Sequence, residues 1–317
     1  MRICPLCRSN CLVPLVTRGE IAREIRIRER FVRSRFDYGP SRAELMDLTE
    51  FMHGGDGILA ECAHCGLTVR LEDGSGRYEE DIYDPGLLEI LYPRYLHAFR
   101  AKESQYRPLL PTRADVLEIG SHLGSFLQAA EEWGWRPRGF DIGRQTSQFA
   151  RRRGLSVERE FIEDARLPAQ SADATFVWNC FEQLPDPGRT IAACYGLVRR
   201  GGLLVVRTPN VAFYRNLRPA NSGSGTSAIR SLAYNNLLGF PYLAGYKPNQ
   251  LASFLSEHGF QPVTGFDSTL LTVPYPEIPP RLQREIEKTQ SSLTLACGKD
   301  TALLSGPWME IVCRKVD

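Results

Sequence analysis

The chain has 317 residues, of which 43% are hydrophobic and 24% charged, and its formal net charge is +2. These values are typical of a globular protein, and the length predicts one main domain with a smaller one. The small net charge argues against a strong field that attracts nucleic acid or an anionic membrane. No apolar run approaches the roughly 18 residues that a membrane span needs. The first residues lack the apolar core of a signal peptide, so we expect a cytoplasmic protein.

Residues 1–72 carry two Cys-x-x-Cys pairs, Cys4–Cys7 and Cys62–Cys65. Two intervening residues let both sulfurs of a pair reach one ion, and four thiolates make a closed structural zinc site. A redox pair would normally open a helix after a strand, which neither pair does. The pairs therefore predict Zn²⁺ bound by a zinc-ribbon-like module, with Cys11 as a bystander. Redox thiols and unrelated reduced thiols are the alternatives.

An arginine-rich stretch, 18–36, lies between the cysteine pairs. It could contact nucleic acid or form a charged strand pair. We favour the strand pair because glutamates are interspersed and no aromatic stacking platform is evident.

Residues 73–113 are rich in Tyr, Leu and Arg and predict one or two helices with proline punctuation, forming a linker or lid. From 114 to 317, short apolar runs alternate with amphipathic segments, which is typical of a parallel α/β sheet. Two insertions, 210–246 and 268–306, interrupt this domain. The predicted strands are 115–119, 137–142, 156–160, 173–179, 202–208, 260–266 and 308–315. The predicted helices are 124–134, 144–153, 187–199, 248–258 and 280–293.

The segment 115–126 reads as an apolar strand, a glycine-bearing turn and a helix. Gly120 permits a sharp turn and close approach of a ligand. Gly124 lets the helix pack near the strand, and the helix N-terminus offers amide donors. An ordinary strand–turn–helix junction has the same pattern, so this signal depends on the residues that follow it.

Two acids follow later strands. Asp141 ends the second strand, where a carboxylate can accept hydrogen bonds from both hydroxyls of a ribose. Its alternative is to cap the helix at 144–153, which the intervening Gly143 and Arg144 disfavour. Asp164 follows the third strand and could accept a hydrogen bond from an adenine amino group. Its alternative is a solvated loop acid.

These features, with the segment Asn179–Pro187 and the glycine pair Gly201-Gly202, resemble the class I S-adenosylmethionine-dependent methyltransferases, particularly the small-molecule branch. The resemblance covers about 115–267 and implies a seven-stranded Rossmann-like sheet. It also implies a cofactor site, in which we include His122 and Ile142. In that site Glu118, Gly120 and Gly124 line the methionine end, Asp141 holds the ribose, Asp164 and Ala165 hold the adenine, and Asn179 forms the turn beside the methionine moiety.

Two residues depart from that family pattern. His122 replaces the middle glycine of the turn, which requires an allowed backbone conformation with its side chain turned aside or over the cofactor. Gln183 replaces a histidine that can serve as a base in relatives, and glutamine cannot. The catalytic residue is therefore not assigned by resemblance.

The N-terminal part carries a second resemblance. Cys62–Leu67 followed by Tyr78–Tyr83 is similar to a segment of bacterial methyltransferases that act on sugars and natural products. Tyr83 could close over the methionine end of the cofactor, or it could be a packing residue.

The candidate bases are Glu182, His97 and Tyr214, the last of which lies in the aromatic insertion 210–246. We expect methyl transfer to an oxygen or carbon of a small molecule such as a sugar or natural product. The alternatives are a ribosomal RNA methyltransferase that grips RNA with the zinc module and a non-catalytic cofactor-binding protein. The sequence leaves the acceptor and the oligomeric state open.

Overall fold

The computed structural model describes residues 3–20, 58–71, 85–213, 243–268, 304, 306 and 308–316. Tyr83, Tyr214 and the predicted helix at 280–293 lie outside these residues. Among the described helices, none is long and apolar enough to cross a membrane.

The bounds of eleven strands and six α-helices fall within the described residues. The strands are β1 (Leu12–Val16), β2 (Leu59–Cys62), β3 (Thr68–Arg70), β4 (Asp115–Ile119), β5 (Arg136–Phe140), β6 (Val157–Glu158), β7 (Ala172–Trp178), β8 (Val198–Pro209), β9 (Ala244–Gly245), β10 (Phe260–Ser268) and β11 (Trp308–Lys315). The helices are α1 (Pro85–Arg100), α2 (Glu103–Tyr106), α3 (Ser125–Glu132), α4 (Arg144–Arg152), α5 (Pro187–Leu197) and α6 (Pro248–Glu257).

The chain divides into two compact units. Unit 1 comprises Met1–Ser75, Pro209–Leu251 and Phe266–Met309, and unit 2 comprises Gly76–Thr208, Ala252–Gly265 and Glu310–Asp317. The division of the sequence at residues 72 and 113 remains a prediction.

Unit 1 contains a four-stranded sheet in the order β1-β2-β3-β9. Each neighbouring pair is antiparallel. Each cysteine pair lies in a tight turn that ends on a left-handed residue, Arg8 with φ of 58° and Gly66 with φ of 71°. The sequence did not predict β9, which falls in the insertion 210–246, because its two residues pair with Val69 and Thr68 far away along the chain.

Unit 2 is built on a seven-stranded sheet in the order β10-β11-β8-β7-β4-β5-β6. β4 pairs in parallel with both β5 and β7, and parallel pairs β5–β6 and β7–β8 extend the sheet on either side. The strand order therefore changes direction at β4. Ligands of open α/β sheets bind in the crevice that such a change creates at the carboxyl ends of the strands.

Aromatic side chains pack against this sheet in unit 2. Phe126 of α3 lies 4.7 Å from Phe176 of β7 between ring centroids. Tyr106 lies edge-on to Phe176 and Trp178 at 5.8 and 5.4 Å. Burial of such large rings stabilises the sheet and fixes the strand ends that follow Phe176 and Trp178.

The predicted seven-stranded Rossmann-like sheet is confirmed, with changes at some boundaries. The strand predicted to start at residue 202 begins at Val198, so the glycine pair lies within β8 and Gly201 has φ of 71°. The preceding helix consequently ends at Leu197. α1 continues through Pro93, which the sequence analysis took as punctuation.

Candidate functional site

The turn after β4 is left-handed at three positions: Gly120 with φ of 69°, His122 with φ of 48° and Gly124 with φ of 76°. A Cβ atom at Gly120 would lie 2.6 Å from Sγ of Cys180, so a larger residue does not fit there. The amides of Gly120 and Ser121 donate to the carbonyl of Phe140 at 2.8 and 3.1 Å. The turn is thereby tied to the end of β5.

Asp141 follows β5 and binds two segments at once. Its Oδ2 accepts from the amide of His122 at 2.7 Å. Its Oδ1 accepts from the amide of Gly143 at 2.9 Å and from Oγ1 of Thr146 at 2.8 Å. The N-cap of α4 is Gly143, with no side-chain cap hydrogen bond, and Asp141 instead bonds the backbone two residues ahead, as aspartate readily does. Asp141 is fixed beside the glycine turn.

Glu118 of β4 is 2% exposed. Burial raises the pKa of its carboxyl well above the usual range, and the charge of Asp141 raises it further. Among the described residues, no donor lies within hydrogen-bond distance of its Oε2. A buried polar atom without a partner is uncommon in folded proteins and calls for an explanation.

The imidazole of His122 is half-buried next to α1. Its ring meets Tyr95 edge to face, with 5.8 Å between centroids. Burial lowers the pKa of His122 to about 4, so the ring is neutral near pH 7. The side chain that replaces the family's middle glycine is thus packed toward α1.

Asn179 follows β7 and is also left-handed, with φ of 53°. Nε2 of Gln183 donates to its carbonyl at 2.7 Å, and Nη1 of Arg207 donates to its Oδ1. Gln183, the second departure from the family pattern, therefore holds this turn.

Glu182 is fully buried. Burial raises the pKa of its carboxyl to about 7, although its own backbone amide and the hydroxyl of Thr208 lower it. Oγ1 of Thr208 donates to its Oε2 at 3.0 Å, and Oε1 has no hydrogen-bond partner among the described residues. Of the other candidate bases, His97 is exposed in the last turn of α1.

The residues predicted to hold adenine lie near the end of β6. Asp164 is exposed and pairs with Arg189, with 3.2 Å between Oδ1 and Nη2. Ala165 is half-buried. Ile142, next to Asp141, is half-buried and its carbonyl accepts from Nε of Arg159 at 3.0 Å.

Sequence reasoning missed Arg207 and Glu310, which are buried and paired in unit 2. The available signal was a single charge within an apolar strand, since Arg207 follows Leu203–Val206 and Glu310 lies within Trp308–Cys313. Such charges are rarely fully buried unless they are paired.

The four predicted metal ligands, Cys4, Cys7, Cys62 and Cys65, come together in unit 1. Their sulfur atoms all lie within 4.8 Å of one another. Sγ of Cys4 is 3.5 Å from Sγ of Cys65, and Sγ of Cys7 is 3.5 Å from Sγ of Cys62. Although burial opposes it, hydrogen bonds from the backbone amides of Cys65 and His64 lower the pKa of Cys62 to about 7. Cys11 is exposed outside the cluster.

A parallel sheet whose order reverses at β4, with a glycine turn and an acid at the ends of adjacent strands, defines the Rossmann-like class of nucleotide-cofactor-binding proteins. The methyltransferase-domain family matches residues 91–265. The chain belongs to this family and is a class I S-adenosylmethionine-dependent methyltransferase.

Two relatives are ubiquinone biosynthesis O-methyltransferases. The one from Ralstonia nicotianae is 26% identical over 216 residues, which cover 57% of this chain and 87% of that protein. The one from Burkholderia pseudomallei is 29% identical over 156 residues, which cover 47% of this chain and 65% of that protein. The chain thus spans just under two thirds of the second relative. A solved S-adenosylmethionine-dependent methyltransferase from Archaeoglobus fulgidus is 20% identical, covering 74% of this chain and all of that one, with a TM-score of 0.48.

Proposed function

We propose that the enzyme methylates a hydroxyl oxygen of a small molecule, with Glu182 as the general base. The observation that carries this proposal is the buried carboxyl of Glu182, whose pKa is raised to about 7 by burial. A general base works best when its pKa lies near the working pH. The two relatives described above are named as O-methyltransferases, which supports oxygen as the acceptor atom.

Methyl transfer requires few other chemical groups from the protein. Bound S-adenosylmethionine supplies an electrophilic methyl group on a sulfonium. With the cofactor bound, Glu182 would take the hydroxyl proton of the acceptor, whose oxygen would receive the methyl group, and S-adenosylhomocysteine would leave. Alignment and exclusion of water account for most of the remaining acceleration. Thr208, which donates to Oε2 of Glu182, leaves Oε1 to receive the proton.

For the cofactor, we propose the set Glu118, Gly120, His122, Gly124, Asp141, Ile142, Asp164, Ala165 and Asn179; the role expected for Tyr83 stays a prediction, because Tyr83 lies outside the described residues. Two observations fit S-adenosylmethionine. The unsatisfied Oε2 of Glu118 suits a donor on the ligand. The turn after β4, with its left-handed Gly120 tied to the end of β5 beside Asp141, has the backbone form that a nucleotide cofactor approaches closely.

We also propose that the cysteine cluster of unit 1 binds one structural Zn²⁺. A tetrahedral ion with zinc–sulfur bonds of about 2.3 Å places neighbouring sulfurs about 3.8 Å apart. The separations of 3.5 Å within the Cys4–Cys65 and Cys7–Cys62 pairs lie close to that value.

The acceptor is tested by measuring release of S-adenosylhomocysteine with a panel of acidic phenols, sugars and purified ribosomal RNA. We expect turnover with hydroxyl compounds and a methyl ether as product. Turnover with RNA alone would contradict the small-molecule assignment. A product methylated on carbon would contradict the oxygen assignment, and an absence of S-adenosylmethionine binding at millimolar concentration would contradict the cofactor site.

A further inference from the structure

A buried group of charges lies at the junction of α2, β8 and β11 in unit 2. Glu310 is fully buried and accepts hydrogen bonds from Nζ of Lys102 at 2.5 Å, from Nε2 of Gln105 at 3.1 Å and from the hydroxyl of Tyr106. Nε of Arg207 lies 3.3 Å from its Oε1. Glu310 is therefore held by several donors besides Arg207.

Arg207 is 1% exposed and reaches a second partner beyond Glu310. Its Nη1 donates to Oδ1 of Asn179, and its backbone carbonyl accepts from the amide of Asn179 at 3.2 Å. One residue thus holds both the side chain and the backbone of Asn179. The planar guanidinium can serve two acceptors in fixed directions, which a lysine ammonium cannot do equally well.

The two partners of Arg207, Glu310 and Asn179, depend on it to different degrees. Glu310 keeps the cation of Lys102 and two neutral donors if Arg207 is removed. Asn179, by contrast, has φ of 53°, a left-handed conformation that asparagine adopts more readily than most residues but less readily than glycine. Without Arg207, Asn179 keeps the bond from Nε2 of Gln183 to its carbonyl, but its side chain loses the bond that Arg207 donates to Oδ1.

We propose that Arg207 is a positioning residue of the cofactor site: Glu310 orients its guanidinium, and the guanidinium fixes Asn179 in the turn after β7. The inference rests on the proposed place of Asn179 beside the methionine moiety of S-adenosylmethionine. Arg207 acts through Asn179 and needs no contact with the cofactor.

A double-mutant cycle tests this proposal, with S-adenosylhomocysteine binding measured by calorimetry. The variants are Arg207→Met, Asn179→Ala and both together, each checked for folding by circular dichroism. We expect each single variant to weaken binding about tenfold. Because Arg207 acts through Asn179, the double variant should bind no more weakly than Asn179→Ala alone.

Two further variants keep the proposal testable if Arg207→Met does not fold. Arg207→Lys retains the charge and should weaken binding by less than Arg207→Met. Glu310→Gln retains the shape of the carboxylate and should weaken binding slightly. Arg199→Met is the matched control, since Arg199 lies on the same strand but pairs with Asp115 and Asp173, and its affinity should equal that of the wild type.

Unchanged affinity in the folded Arg207 and Glu310 variants would overturn the proposal, and so would additive losses in the double variant. These outcomes leave the wild-type affinity intact. Failure of the wild type itself to bind S-adenosylhomocysteine would instead overturn the cofactor site, and this inference with it.

Discussion

The backbone amide of His122 donates a hydrogen bond of 2.7 Å to Oδ2 of Asp141. This bond joins the glycine turn after β4 to the end of β5, the two segments proposed to hold the methionine and ribose parts of the cofactor. The same carboxylate holds the start of α4 through Gly143 and Thr146.

Asp141→Ala removes the acceptor of all three bonds. We expect the affinity for S-adenosylhomocysteine to fall by about 1–3 kcal/mol, because the ribose loses its partner and the turn loses its anchor. Calorimetry measures this change. Asp115→Ala is the control, since Asp115 lies at the amino end of β4, away from the glycine turn, and pairs with Arg136 and Arg199. Equal affinity of the Asp141 variant and the wild type would contradict the assignment.

Two substitutions of His122 separate the role of its backbone conformation from the role of its side chain. Glycine adopts φ of 48° without strain, whereas a β-branched residue does not. We expect His122→Gly to bind S-adenosylhomocysteine like the wild type and His122→Val to lose about 1–2 kcal/mol of stability. Thermal unfolding and calorimetry distinguish them. A loss of binding in His122→Gly would mean that the imidazole itself contacts the cofactor.

If Glu182 is the general base, the pKa of its carboxyl sets the pH dependence of methyl transfer. Its raised pKa of about 7 means that the carboxylate, the basic form, accumulates as the pH rises through 7. We therefore expect kcat/KM to fall as the pH drops below about 7. Glu182→Gln should reduce the rate about 10²–10⁴-fold and abolish this limb of the profile.

Glu158→Gln is the matched control for Glu182, because Glu158 forms a half-exposed ion pair with Arg138 at the end of β6. Its pH profile should match that of the wild type. If Glu182→Gln keeps both the rate and the acidic limb, another group is the base.

The cysteine cluster predicts metal-dependent order in unit 1. Cys65 accepts at its carbonyl from Nε2 of Gln250 at 2.5 Å, and β3 pairs with β9. Cys62→Ser should lower zinc from about one ion per chain and speed amide exchange across residues 243–246, because metal binding and folding are coupled. Elemental analysis and hydrogen exchange measure both. Cys11→Ser should retain the metal, and a folded, metal-free wild type would rule out the zinc site.

Substitution of Glu310 should have a large effect on the free energy of unfolding. Glu310→Leu leaves the buried Arg207 and the half-buried Lys102 without their shared anion, which should lower the free energy of unfolding by about 3–5 kcal/mol. Glu103→Leu is the control, because its pair with Arg107 is exposed and worth less than about 1 kcal/mol. Denaturant titration measures both. Equal losses of unfolding free energy in the two variants would show that burial does not increase the contribution of the Glu310 ion pairs to stability.

The sequence by itself determined the features that local pattern specifies. The apolar run before Gly120 and the alternation of apolar and amphipathic segments predicted the sheet, because strands and turns leave a signal within a few residues. The spacing of Cys4, Cys7, Cys62 and Cys65 predicted one cluster, and their sulfurs lie within 4.8 Å of one another. Glu182 was named as a candidate base, but the burial that raises its pKa was not visible.

Only the tertiary structure decided which distant residues meet. Strand order brings β8 beside β11, which pairs Arg207 with Glu310, and the pairing of β3 with β9 recruits Ala244 and Gly245. Folding also turned Asp141 toward both His122 and Gly143, where the sequence favoured a ribose contact alone. These contacts join residues far apart in the chain, so their energies depend on sheet order and burial, which a local pattern does not contain.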